Sequence, residues 1–431
     1  MSRSNLSLLF PGCEALDDDI NVDINTTGTP ADAAEAATEA EDLATEGADT
    51  QAEAEETSTA AEAFAHQFSE LCALHKHISR YGVDRTMLAL CNRNNILGRA
   101  LNLRLPATES FDNVGSPYSA TSVACLEALS EGLWQKFKDF IARIVKAIRN
   151  FGLKMTQWWR DLSGNYETRL QQFDEFFKAS RVFKKKEDLD GYKGFYMSKS
   201  EINDINNEFE QILNGGASAG SDEAAATNLI NKANAVINAV LKAGSSSLAM
   251  TGANSAIGAD NESDNIKTLA DELGEKAQED RDKILDKLEE ARDKVNEKLD
   301  DKTNDAKEKE PDDILKDIAK DTSINATYEQ DSTKVATSLI TDAKKYITQI
   351  RQDEEAKSMS SPALKTALDR LERNAIMKNG AGMSLDARDA ITRSVSVAQQ
   401  ILTKRGSLST YKAKLLNICF KNISTIKAMS K

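Results

Sequence analysis

Residues 133–162 read LWQKFKDFIARIVKAIRNFGLKMTQWWRDL, and the rest of the chain is best understood outward from this stretch. Leu133, Phe137, Phe140, Ile141, Ile144, Val145, Ile148, Phe151, Met155 and Trp158 recur at three- and four-residue steps, the period of one helical face. Lys136, Lys138, Arg143, Lys146, Arg149, Lys154 and Arg160 take the other side, with Asp139 as the lone acid among them. Trp134, Trp158 and Trp159, the three tryptophans of the protein, sit at the two ends. A cationic amphipathic helix of this kind has two uses. It packs into its own core with a wetted basic face, or it offers that apolar stripe to a membrane interface or a partner's groove. For the second use the candidate surface is Trp134, Phe137, Phe140, Ile141, Ile144, Ile148, Phe151, Trp158 and Trp159.

Helical periodicity continues on both sides. Upstream, residues 63–104 carry Phe64, Phe68, Leu71, Cys72, Leu74 and Ile78 at helical steps, interrupted at Tyr81-Gly82, before a loop around Pro106 and 113–117. A helix restarts near Ser119 and runs to about Leu162, and a charged one follows over 166–190. Glycine-rich stretches at 214–220 and 244–264 read as flexible linkers around a short Ala-rich helix, 223–243. Ile266, Leu269, Leu273, Ala277, Ile284, Leu288, Ala291, Val295 and Leu299 then fall at heptad-like steps, a coiled-coil pattern with a capacity for self-association through 265–310. Glu310-Pro311 stops it, and further helices are expected at 312–320, 327–358, 362–378, 385–404 and 408–429. The expected fold is all-α: an elongated helical bundle with coiled-coil segments, flexible linkers and a disordered acidic N-terminal region.

Charge sets that N-terminal region apart. The 431 residues carry a formal net charge of -14, yet residues 1–62 alone hold 16 acids and one base, Arg3. With few bulky apolar side chains, such a segment cannot offset the entropy of ordering and reads as disordered. The segments expected are therefore an acidic leader (1–62), a small helical region (63–131), the cationic helix and its continuation (132–213), the linker (214–264), the coiled coil (265–310) and a C-terminal helical region (311–431). Cys13, Cys72, Cys91, Cys125 and Cys419 are odd in number and scattered, against a disulfide framework.

No chemistry stands out. His66, His75 and His77 are the histidines of the chain, so Ser-His and Cys-His schemes have no base downstream. Cys72, His75, His77 and Cys91 imitate a zinc set, but residues one apart on a helix point to different sides. Gly215-Gly216-Ala217-Ser218-Ala219-Gly220 lacks the lysine of a phosphate loop, and Lys184-Lys185-Lys186 is neutralised by Glu187-Asp188. The expectation is a non-enzymatic protein without metal or cofactor.

An acidic Ala/Glu/Thr-rich leader, then SPYSATSVACLEALSEG at 116–132, then the Trp/Phe/Lys helix, resembles the internal head (inner-body or core) proteins of large myovirus-type tailed phages over residues 30–190. That resemblance implies a virion structural protein, synthesised in the host cytoplasm, packed inside the capsid with other head proteins. It also implies trimming by a prohead protease that cuts after glutamate in a small-or-leucine, any, Glu context. Leu129-Ser130-Glu131 before Gly132, Ala44-Thr45-Glu46 before Gly47 and Ala37-Thr38-Glu39 before Ala40 fit that context. Cleavage after Glu131 would shed the acidic leader and free the cationic helix to approach packaged DNA or lipid. The competing expectations are a membrane-active helical effector or toxin using residues 132–162 and a cytoplasmic coiled-coil adaptor.

Overall fold

The computed structural model describes residues 30–83, 117–118, 120–216, 221–247, 264–322, 326–357, 361–376 and 383–431. In chain order the helices are α1 (Pro30–Tyr81), α2 (Ala120–Lys178), α3 (Lys199–Gly216), α4 (Ser221–Ser247), α5 (Asp264–Asp280), α6 (Asp286–Ala306), α7 (Pro311–Thr322), α8 (Thr333–Lys357), α9 (Pro362–Ile376) and α10 (Leu385–Met429). The fold is all-α. Extended pairing among the described residues consists of isolated bridges, Val182 with Asp331, Phe183 with Ser430 and Gly194 with Lys309.

Local chemistry sets many of the ends. Prolines open α1, α7 and α9, where a missing N–H costs no helical hydrogen bond. The Ser384 side chain accepts from the Ala387 N–H at 3.1 Å and starts α10. Ser198 and Glu201 form a reciprocal capping box on α3. Gly82, at φ 77°, closes α1 with its N–H on the Ile78 carbonyl.

α10 is the axis. It is buried on nearly every face and packs against α1, α2, α4, α5, α6 and α8. Trp134 lies by Arg388, Phe151 by Gly406, Tyr166 by Phe420 and Phe173 by Lys427, so α2 and α10 run parallel and in step. α1 opposes both. Phe64 meets Phe140 and His75 meets Ser130 as numbers fall on one helix and rise on the other, and Gln51 reaches the Thr403 carbonyl. Two apolar cores stack along this axis. One gathers Phe68, Leu133, Phe137, Ile230, Leu273, Leu368 and Ile391; the other gathers Trp158, Tyr166, Phe183, Tyr196, Leu299, Ile314 and Phe420.

Several expectations change. Residues 30–62 of the expected disordered leader are helical, and Gln51, Ala54, Ser58 and Ala61 are buried. Ala propensity and Glu-rich outer faces build the helix, while α10 and α2 supply the apolar partner that a lone peptide lacks. Residues 1–29 of that leader lie outside the described residues, as do most of the expected loop at 113–117 and the glycine-rich stretches 217–220 and 248–263. The helix between those stretches is no linker element: Leu229, Ile230, Ala233 and Ile237 of α4 are fully buried. α2 passes through 163–165 unbroken and ends at Lys178, after which Val182 and Phe183 run extended. α10 passes through Gly406, where Phe151 and Gln51 come too close for any side chain.

The heptad-like stripe forms as a helix with a π turn at Arg281–Leu285 between α5 and α6. The extra residue re-aims the stripe, so Asp280 and Leu285, five apart, are both buried. Its apolar side is covered within the chain by α10, α4 and α3.

Candidate functional site

The apolar stripe of α2 is core. Phe137, Phe140, Ile141, Ile144, Ile148, Phe151, Trp158 and Trp159 are all buried, and Trp134 is half-buried, with the Arg388 guanidinium 4.9 Å and the Lys138 ammonium 5.5 Å from its ring centre. The membrane or partner surface read on these residues is therefore not a free surface of the folded chain. Each buried Phe or Ile contributes roughly 1.5–3 kcal/mol. A bilayer would return that for α2 but would leave the faces of α1, α8, α9 and α10 bare, a larger loss than the ~1 kcal/mol gained per basic residue at an acidic membrane. Among the described residues no helix is long and apolar enough to cross a membrane.

The basic side of α2 divides in two. Arg149 bridges Asp369 and Glu372 of α9, each at 2.7 Å, and Lys154 pairs with Glu53 of α1 at 2.5 Å. Lys136, Arg143 and Lys146 instead line the seam between α1 and α2.

Every candidate cleavage bond lies inside a helix. Ala37, Ala44, Glu46 and Gly47 belong to α1, and Leu129, Ser130, Glu131 and Gly132 belong to α2. Gly47 faces the Trp158 indole so closely that an added Cβ would sit 2.2 Å from the ring. Leu129 is buried and Glu131 is exposed. A protease needs an opened backbone, so cutting here demands local unwinding first. Nor would a cut after Glu131 strip away a loose leader. Phe68, Leu71, Cys72 and Ile78 of α1 are core residues, and Glu55 and Glu62 pair with Arg292 and Arg281 on the helix beyond.

At the junction of α1, α2 and α10 the chain assembles a polar cluster. Ser69 donates to Asp389, which also holds Arg393 at 2.5 Å, and Lys76 pairs with Asp386. His75 Nε2 and Ser130 Oγ are 2.8 Å apart. Burial, and then Asp389, push the Cys72 thiol up to about 12, so it stays protonated. Burial, and then Arg388, hold the His75 pKa down, and burial brings Arg388 to about 10. A Ser-His contact resembles a nucleophile and its base. Ser130, however, sits mid-helix, where neighbouring N–H groups are bound within the ladder and cannot converge on an oxyanion. What the arrangement does is clasp three helices. The sequence hid it because His75 and Ser130 are 55 residues apart and only the antiparallel register joins them.

The zinc-like set also separates: His77 leans on Tyr81, His75 faces Ser130, and Cys91 lies outside the described residues. No group of three His, Cys, Asp or Glu among the described residues is placed to hold a metal ion. No family model, curated protein or solved structure matches this chain.

Proposed function

We propose that the chain is a non-enzymatic structural protein of the head interior of a large tailed phage, processed after glutamate by a prohead protease. The observation that supports the reading is the presence of small-or-leucine-x-Glu sequences on the α1–α2 hairpin that closes one side of the bundle, among them those ending at Glu39, Glu46 and Glu131. Because these bonds are helical in the folded chain, the protease acts before the hairpin closes or on a transiently opened one. A cut after Glu131 then yields a nicked protein whose α1 stays bound through its core residues. The membrane-active and adaptor readings lose support, since the surfaces each would use are spent inside the chain.

The test is mass spectrometry of purified particles from a host expressing this protein, with the N-terminus read from semi-specific peptides. The expected result is a chain protected inside the particle and starting at Ala40, Gly47 or Gly132. Absence from particles overturns the structural role, and an uncut chain inside them overturns the processing.

A further inference from the structure

Lys136, Arg143 and Lys146 border a groove. Two cavities of about 230 and 290 Å3 follow one another along the α1–α2 seam and share Thr57 and Arg143. Their walls are largely apolar, with Ala54 and Phe151 in the first and Phe64 and Phe140 in the second. Glu53 is taken by Lys154 and Asp139 accepts from Gln135, which leaves the three cations without an ion-pair partner among the described residues. The groove thus asks for an acidic segment with apolar side chains.

The chain contains one. Leu6, Leu8, Leu9 and Phe10 precede Glu14, Asp17, Asp18, Asp19 and Asp23, against the single base Arg3. Its reach agrees with the groove. Along α1, Thr57 lies about 40 Å and Phe64 about 50 Å beyond Pro30, at 1.5 Å per residue. An extended chain spans at most ~3.3–3.6 Å per residue, so Asp19 reaches roughly 40 Å from Pro30 and Phe10 roughly 70 Å. The acids can therefore meet Arg143 and Lys146 in the same pose that brings the Leu-Phe group over Phe64 and Phe140.

We propose that residues 6–23 fold back along α1 and dock in the α1–α2 groove, their carboxylates on Lys136, Arg143 and Lys146 and their Leu and Phe side chains against its apolar wall. This inference stands apart from the phage-head reading and survives its failure. The experiment is carbodiimide cross-linking of the full chain, with light and heavy isotope-labelled protein mixed so that links within and between chains differ in mass. The expected result is same-chain amide links from Asp17, Asp18 or Asp19 to Lys136 or Lys146. Those links should be lost in Arg143→Glu and in Leu9→Asp, two variants that retain both lysines and the Asp17, Asp18 and Asp19 carboxylates, while helical circular dichroism is unchanged. Links spread without preference over other lysines such as Lys184 and Lys186 would overturn the proposal. So would links found only between chains, or links that survive both substitutions.

Discussion

At single residues, close packing and burial decide what a substitution does. Gly47 and Gly164 both lie inside long helices, yet an added Cβ meets the Trp158 indole at 2.2 Å in the first case and nothing within 4 Å in the second. Replacing glycine by alanine in a helix returns up to about 1 kcal/mol of propensity, while overpacking costs roughly 1–3 kcal/mol. Chemical denaturation should therefore find Gly164→Ala stabilised by about 0.5–1 kcal/mol and Gly47→Ala destabilised, because a buried indole cannot swing aside. His75 supplies a pH effect of definite sign. Its folded pKa lies below the ordinary 6.5, held down by burial and then by Arg388, so the unfolded chain takes up the proton first. The stability that neutral His75 retains above pH 6.5 is lost as pH falls from there through the folded value. Thermal melts at pH 7 and pH 5 should show a smaller acid loss for His75→Gln than for the parent protein; equal losses would exclude the histidine as the cause. Neither effect is legible in the sequence, where Gly47 reads as part of a protease motif and His75 as a helix passenger. Both depend on residues more than 50 positions away.

For whole helices, the sequence was informative about faces and poor about what covers them. The period of the α2 stripe identifies its buried residues correctly, since hydrophobic spacing is a local property. Whether a bilayer, a partner or the same chain covers that stripe is settled by helices up to about 250 residues away, which periodicity does not encode. α1 shows the converse failure. Its faces are too Ala-rich to announce a core side, so a helix that packs along α10 reads as unstructured acid. The helix ends expected near Leu162 and at 404 do not occur, because isolated glycines such as Gly164 and Gly406 are tolerated inside long helices. Ile144→Asp separates the two uses of α2. With Ile144 buried in the first core, an unpaired carboxylate there should cost more than about 4 kcal/mol and melt the protein. Liposome co-sedimentation of the parent chain with anionic lipid should leave it in the supernatant, and pelleting of the folded protein would restore the membrane reading.

In the molecule as a whole, α10 threads both cores, so neither can open without unseating the other's central helix. Unfolding should follow one transition, with tryptophan fluorescence, which samples Trp134 beside one core and Trp158 and Trp159 within the other, coinciding with circular dichroism. Two separated midpoints would show that the cores are independent units, as the segmented organisation expected from composition implied. The end of the chain is built into the same structure. The Ser430 and Ser332 hydroxyls meet at 2.7 Å, buried, and the Lys431 N–H donates to the Val182 carbonyl at 2.9 Å. Because α1 runs antiparallel to α10, Pro30 emerges toward the end of the bundle where Lys431 is fastened. A tensile load applied between those two points would peel α1 away turn by turn, as a zipper opens, instead of shearing its whole length at once. In an optical trap the first extension should come at low force and lengthen the tether by the α1 segment alone, while the same load placed across residues 120 and 431, on helices that run side by side in one direction, should meet much stiffer resistance.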